Sequence, residues 1–120
     1  MKKFLAKFMG SENSENHRKW NALSESERSA RVAKGMQAWG DWMKEHQKSI
    51  VESGGPLGKT KLVGPHGISD MTNQDAGYVV IQAESFDAAA IMFINHPHFS
   101  IFPGDSVEVM ECLPIPNQHQ

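Results

Sequence analysis

The segment GYVVIQAE, residues 77–84, carries apolar side chains on both faces of a predicted strand. Successive side chains of a strand point to opposite faces, so the residues from Tyr78 to Ile81 present apolar groups to both sides. The N-terminal segment KFLAKFM, residues 3–9, alternates in a similar way. An antiparallel sheet with one face in water should be polar on that face. Both faces of the sheet that contains these strands are therefore predicted to be covered.

A long helix is predicted to begin after Ser24. Ser24 and Glu27 form the pattern of a capping box, in which each side chain satisfies a free backbone amide of the other residue. Gly54-Gly55-Pro56 is predicted to end the helix. Gly35 and Gly40 lie inside it, so either the helix bends there or another group packs closely. One face carries an apolar stripe at helical spacing: Val32, Met36, Trp39, Met43, His46 and Ile50.

The strand over residues 77–84, two further strands and a short helix complete the predicted chain. The strands are residues 56–63, 77–84 and 106–113, and residues 10–23 and 64–77 are predicted as connections, the first anchored by Trp20. The helix is predicted over residues 85–95, with Ser85 as its cap and Pro97 as its stop. Its inward residues are predicted to be Phe86, Ala89, Ala90 and Phe93.

The predicted order is β-α-β-β-α-β, which is the ferredoxin-like plan of an α+β fold. Two helices then cover one face of a four-stranded antiparallel sheet. The other face is apolar and most simply meets a second copy of the chain, so we predict a homodimer. The 120 residues fit a single domain over 1–120, with 113–120 as an extended C-terminal tail.

Composition limits the classes of partner and the compartment. The formal net charge is −2, which argues against a nucleic-acid partner and against an anionic membrane surface. No apolar stretch approaches the length of a membrane-spanning helix. The chain has one cysteine, seven methionines and no export signal, so a cytoplasmic location is predicted.

Several motifs resemble the YCII-related family, including its DGPF branch. They are GGPLGKTK, GYVVIQAESFDAAAIMFINHPH and SVEVMECLPIP, and the similarity covers residues 3–10 and about 30–113. The resemblance implies a dimeric α/β barrel, in which two ferredoxin-like units pack sheet to sheet. The wider superfamily includes isomerase-like, dehydrochlorinase-like and small monooxygenase-like enzymes, and some members are thought to use a His-Asp pair. The family's Asp-Pro-aromatic motif is replaced here by His96-Pro97-His98-Phe99.

The histidines are the main candidates for chemistry. His98 and His46 are predicted as acid/base groups, and Asp105 as the carboxylate that orients an imidazole. Each also has a structural interpretation: a helix terminus for His98, a core position for His46 and a turn for Asp105. His98 is expected to face the cleft beside His46, and His96 to face outward. Further predicted pocket residues are His96, Trp39, Trp42, Met43, Phe99 and Asp70.

Two functions fit these features. The first is a cofactor-independent isomerase or elimination lyase that acts on a small cyclic or aromatic molecule through a histidine. The alternative is a non-catalytic dimeric module that binds a small ligand or has an accessory role. No metal is predicted because the histidines form no compact ligand set, and no cofactor is predicted because phosphate-binding loops are absent from the sequence.

Overall fold

The computed structural model, which describes residues 1–116, contains a four-stranded antiparallel sheet in the order β2-β5-β1-β6. This order, with the helices that connect the strands, confirms the ferredoxin-like α+β fold. The elements are β1 (Lys2–Met9), α1 (Glu15–Ala22), α2 (Glu25–Glu45), β2 (Ile50–Pro56), β3 (Thr60–Gly64), β4 (Gly67–Met71), β5 (Asp75–Ala83), α3 (Phe86–Ile91), α4 (Pro97–Ser100) and β6 (Ser106–Glu111).

The core lies between the helices and one face of the sheet. The strand period of two places alternate side chains there, and the register sets Phe4 opposite Ile81 in the neighbouring strand. The indole Nε1 of Trp42 donates a 2.8 Å hydrogen bond to the backbone carbonyl of Met92, which ties α2 to the chain after α3. The buried apolar residues are Phe4, Ala6, Phe8, Trp42, Val79, Ile81, Ala83, Ala89 and Phe93.

The other face of the sheet carries a row of apolar side chains. Leu5 lies opposite Val80 on one side and opposite Met110 on the other, so the row crosses three strands. All three side chains are only partly buried within the chain. The two-sided apolar pattern predicted from the sequence is therefore present.

The long helix begins as predicted but ends earlier. Ser24 accepts from the amide of Glu27, and the Glu27 carboxylate accepts from the amide of Ser24. The helix ends at Glu45, with His46 as its C-cap, so the predicted continuation to Gly54 is wrong. Ile50 continues the helical spacing in the sequence, but it pairs with Ile81 in the sheet. Pairing with a strand 31 positions away therefore overrides the local pattern.

The buried face of α2 is rotated from the predicted stripe. Val32 and Met36 are exposed, whereas Gly35 and Trp42 are buried. A Cβ atom at Gly35 would lie 2.5 Å from the ring of Phe102. Close packing, not a bend, is therefore the reason for glycine at this position.

The region between β2 and β5 forms a hairpin that the sequence prediction missed. The second strand of the sheet is β2, not the predicted strand 56–63, and the predicted loop 64–77 contains β4. Strands β3 and β4 pair only with each other, and Gly64 lies opposite Gly67 at the turn. We call residues 60–71 the arm. Almost all of its side chains are exposed. Its apolar residues therefore do not mark one buried face, and the sequence pattern does not identify its two strands.

Two further helices differ from the prediction. Helix α1 replaces part of the predicted connection, and its N-cap is the hydroxyl of Ser14. Helix α3 ends at Ile91, and Pro97 occupies the first turn of α4 instead of stopping α3. Asn95, with φ of 57°, redirects the chain between these helices. Ala89 and Phe93 are buried as predicted, but Phe86 and Ala90 are exposed.

The predicted tail is described only in part. Residues 113–116 are exposed, and residues 117–120 lie outside the described residues. No helix among residues 1–116 is long and apolar enough to span a membrane.

Candidate functional site

A cleft of about 520 Å³ lies between α2 and the sheet. Helix α2 forms one wall, and strands β2 and β5 form the other. The lining is mainly aliphatic and aromatic, which suits an apolar ligand. The lining residues are Phe8, Met36, Trp39, Gly40, Trp42, Met43, Ser53, Gly55, Pro56, Ala76, Gly77, Tyr78, Val79, His98 and Phe102.

Glycines keep the cleft open. A Cβ atom at Gly40 or at Gly55 would meet no heavy atom within 4 Å, so both positions border empty space. Gly40 lies in the interior of α2, where glycine costs about 1 kcal/mol relative to alanine. The helix therefore gives up stability at a position where a side chain would enter the cleft.

His98 is the single imidazole that residues 1–116 contribute to the cleft lining. Its Nε2 lies 2.8 Å from the backbone carbonyl oxygen of Met9. A carbonyl oxygen can only accept, so Nε2 carries the proton, and Nδ1 of the neutral ring has a free lone pair. Nδ1 has no hydrogen-bond partner among residues 1–116 and is not one of their fully enclosed polar atoms. The free nitrogen therefore keeps some access to solvent, and the residue that carries it belongs to the cleft lining.

The surroundings keep His98 neutral near pH 7. Burial lowers the pKa of His98, while the hydrogen bond to Met9 and the negative charge of Asp105 partly oppose this effect. A neutral imidazole with a free lone pair can accept a proton. His98 thus has the protonation state and the geometry of a general base.

His96 supports this arrangement from behind the cleft. It is only 1% exposed, so the expectation that it faces outward is wrong. Its Nδ1 accepts a 3.0 Å hydrogen bond from the backbone amide of His98, which caps the N-terminus of α4. The proton of its neutral ring is therefore on Nε2, which has no hydrogen-bond partner in the described part of the chain.

Aromatic rings surround the unpartnered nitrogen of His96. The ring of Trp39 is perpendicular to the imidazole at a centroid distance of 4.6 Å, and Trp42 lies at 4.8 Å. Perpendicular stacking is the geometry in which an N–H group can point at an aromatic face. Burial, together with the charges that His98 and His46 would carry, lowers the pKa of His96 to about 3. His96 is therefore a neutral structural element.

The structure does not bring His46 and His98 together in the cleft. His46 caps the C-terminus of α2, and its ring packs on Trp42 at a centroid distance of 4.8 Å. Its Nε2 lies 3.9 Å from a carboxylate oxygen of Glu45. His46 does not belong to the cleft lining, whereas Trp42 does. The paired-imidazole arrangement expected from the sequence is therefore absent from this cleft.

The predicted carboxylates also lie elsewhere. Asp105 is exposed, and its carboxylate accepts a 3.4 Å hydrogen bond from Asn16. The group that orients His98 is the Met9 carbonyl, so the structure contradicts an orienting hydrogen bond from Asp105. Asp70 lies on the arm, where it pairs with Lys61.

The remaining pocket candidates divide between two cavities. Trp39, Trp42 and Met43 belong to the lining of the main cleft. Phe99 instead lines a smaller cavity beside Trp20. Among residues 1–116, no group of three or more histidine, cysteine or acidic side chains is arranged to hold a metal ion.

Some site groups had no clear signal in the sequence. Met36, Tyr78 and Phe102 line the cleft but were not predicted to do so. Phe102 could have been found through Gly35, because an unexplained glycine within a helix points to a close neighbour. The carbonyl of Met9 is a backbone group, so side-chain motifs do not reveal it.

No family model matches the chain, and no curated protein matches it significantly. A solved structure of 5-chloro-2-hydroxyhydroquinone dehydrochlorinase from Burkholderia phenoliruptrix, in complex with 2,5-dihydroxybenzoquinone, is similar at 16% identity. The match covers 90% of each chain with a TM-score of 0.49. The resemblance to the YCII-related family therefore stays a prediction.

Proposed function

We propose that this protein is an enzyme that transfers a proton on a small cyclic or aromatic molecule, with His98 as the acid/base group. One observation carries the proposal. An apolar cleft contains one imidazole, whose Nε2–H is fixed on the Met9 carbonyl and whose Nδ1 has no partner among the described residues. An oriented, neutral imidazole in a largely apolar cleft is suited to general-base catalysis.

The reaction class follows from one imidazole among the described residues that line an apolar cleft. Nδ1 of His98 removes a proton from the substrate, and the electron pair left behind moves into the ring system. In an isomerisation, the imidazolium returns the proton to another atom of the substrate. In an elimination, the electron pair expels a leaving group, and the proton is later released to water. The Met9 carbonyl dipole and the Asp105 charge stabilise the imidazolium in either case.

The lining favours a flat, largely apolar substrate. Phe8, Trp39 and Phe102 contribute aromatic rings, and Met36 and Met43 contribute flexible thioether side chains. Aromatic rings pack well against planar ligands, and methionine adapts to irregular shapes. Few polar groups are available, so we expect the substrate to carry only one or two polar substituents near His98.

The test compares His98→Gln with His46→Gln. Hydroxylated and halogenated cyclic compounds are first screened for binding by the fluorescence of Trp39 and Trp42, and those that bind are assayed for turnover. Loss of a general base should reduce turnover by roughly 100-fold or more in His98→Gln. His46→Gln, which lies outside the cleft lining, should retain most of the activity. Full turnover by a folded His98→Gln variant would refute the proposed role.

The second candidate function is a non-catalytic module that binds a small planar ligand. One observation favours this function: among residues 1–116, no carboxylate forms a hydrogen bond with a histidine of the cleft. This function predicts that planar compounds bind and are recovered unchanged after long incubation. It also predicts that His98→Gln changes their affinity by only a few-fold, since the apolar walls supply most of the binding energy.

We also infer that the protein is a homodimer that packs through the open face of the sheet. The row formed by Leu5, Val80 and Met110 is apolar and only partly buried within the chain. Val80→Glu would place a charge in the middle of this interface. We expect the variant to be a folded monomer by light scattering at micromolar concentration, whereas the wild type is a dimer.

Two polar pairs form within the chain on the same face. Lys7 pairs with Asp75 at 3.0 Å, and the Tyr78 hydroxyl donates a 2.7 Å hydrogen bond to Glu52. Groups that already have a partner within the chain lose less free energy when they are buried against a second copy. A wild-type protein that remains monomeric at high concentration would contradict the dimer.

A further inference from the structure

We propose that the arm is a dimerisation element that packs its tip, Val63 and Ile68, against a second copy of this chain. The inference deepens the dimer proposed above, because it adds a second contact region apart from the open sheet face. It rests on the exposure of the arm, the pairing of its side chains and the accessible surface of the chain.

The arm has no support within its own chain. Every residue from 61 to 74 is exposed, and β3 and β4 form a sheet of their own. An isolated two-stranded hairpin is only marginally stable in water. The arm leaves the main sheet between β2 and β5, where Pro56 lies opposite Gly77. An ordered hairpin in this position therefore needs a surface on which to pack.

The side chains of the arm suit an apolar protein surface. Val63 and Ile68 are directly opposite each other and are 72% and 73% exposed. Lys61 and Asp70 form an ion pair on the same face, nearer to the base of the arm. The tip is thus apolar, and the charges beside it neutralise each other. This arrangement can be buried without leaving an unpaired charge.

The accessible surface of the chain indicates how much area a partner would cover. A compact monomer of 13.4 kDa would expose about 6,500 Å². The chain exposes 8628 Å², an excess of about 2,000 Å². Obligate homodimers commonly bury about 1,000–2,500 Å² on each subunit. The excess therefore matches the area that a second copy would cover.

The dimensions of the chain agree with this interpretation. Its radius of gyration is 16.7 Å, whereas a compact domain of this length has about 14 Å. In the proposed dimer, the arm of each subunit packs against the other subunit beside the sheet-face contact. Exchange of two arms would add contacts that the sheet faces alone do not supply.

Charge argues against nucleic acid or an anionic membrane as the occupant. Lys61, the one lysine within residues 60–71, is already paired with Asp70. The whole chain has a formal net charge of −2. A surface that binds phosphate groups needs several unpaired cations. An arm that bound anionic vesicles or DNA while the protein stayed monomeric would overturn the proposal.

The test is the double variant Val63→Glu/Ile68→Glu, compared with Ile91→Glu/Ile94→Glu. The control residues are 63% and 66% exposed and lie outside the arm, so the two variants have the same charge and similar exposure. Light scattering and sedimentation measure the dimer dissociation constant. Two charges in a buried contact should raise it by roughly 100-fold or more, while the control stays near the wild-type value.

The results distinguish the contribution of the arm to the dimer from that of the sheet face and from an effect on turnover. If the arm variant remains a wild-type dimer while Val80→Glu is monomeric, the arm has no role, and the sheet-face dimer stands. If the wild type is itself a monomer, both interfaces are refuted. The arm does not contribute to the core, so circular dichroism should show an unchanged fold. If the arm variant loses turnover but remains a dimer, the proposed role of the arm is refuted.

Discussion

Replacement of Gly104 by alanine tests whether His98 is held in place by its surroundings. A Cβ atom at Gly104 would lie 2.2 Å from Nε2, 2.3 Å from Cε1 and 2.6 Å from Cδ2 of His98. These distances are far below van der Waals contact, so the imidazole must shift. Gly104 has no left-handed backbone conformation, because only Gly54 and Gly67 among the described glycines have positive φ angles. The effect should therefore arise from the contact alone.

The magnitude follows from two costs. Forcing a methyl group into a packed region costs about 1–3 kcal/mol. A shift of the ring also breaks the 2.8 Å hydrogen bond to the Met9 carbonyl, at about 1 kcal/mol. The carbonyl keeps its 2.9 Å hydrogen bond from the amide of Asp105, which limits the loss. We expect the free energy of unfolding to fall by about 2–4 kcal/mol.

Urea denaturation and long-range nitrogen NMR spectra of the imidazoles provide the assay. The wild type should show His98 with its proton on Nε2, and this signal should be altered or lost in Gly104→Ala. The control is Gly40→Ala, where the added methyl group meets no atom within 4 Å. That variant should gain about 1 kcal/mol from helix propensity. A Gly104→Ala protein with wild-type stability and an unchanged His98 signal would refute this account of the site.

Three other predictions concern pH, the cleft and the core. The pKa of His96 is about 3 in the folded chain, below its ordinary value of 6.5, so the unfolded chain binds the extra proton and stability falls as pH decreases between these values. The loss reaches up to about 5 kcal/mol, and urea denaturation from pH 7 to 4 should show a smaller slope in His96→Phe. Gly40→Leu should fill the mouth of the cleft and weaken the binding of planar ligands by roughly tenfold or more, measured by tryptophan fluorescence against Gly40→Ala. Trp42→Phe should cost about 1–3 kcal/mol in thermal or urea unfolding, since it removes the hydrogen bond to Met92 and leaves that carbonyl without this donor.

Local rules predicted the elements that local interactions determine. The start of α2 was predicted correctly because the capping box involves only Ser24 and Glu27, three residues apart. The strands β1 and β5 were predicted because their apolar side chains follow the period of two that is typical of a strand, and the structure buries alternate residues of both.

The missed elements lack such a pattern or depend on distant contacts. Helix α1 has no fully buried residue, so hydrophobic periodicity does not mark it. The arm was missed for the same reason, because both of its faces are exposed. The end of α2 depends on the pairing of Ile50 with Ile81, which no short window of sequence contains.

The site was harder to predict than the fold. His98 was correctly expected to face inward, but His96 was expected to face outward because its role as a helix cap was not foreseen. Serine, threonine, aspartate and asparagine are the usual caps, and histidine is not among them. The choice between Asp105 and the Met9 carbonyl as the partner of His98 depends on the tertiary structure. Backbone partners of this kind leave no trace in residue types.

The use of a main-chain oxygen to orient His98 has a consequence for how activity varies with acidity. A carboxylate partner would itself become protonated in acid, and the imidazole would then lose both its orientation and its base strength. The oxygen of Met9 belongs to a peptide group, which has no ionisation in the range where proteins stay folded. Near its midpoint, the acid limb of the rate profile should therefore follow the proton taken up by the imidazole, with no contribution from the group that orients the ring. The steepness there would be that of one ionisation.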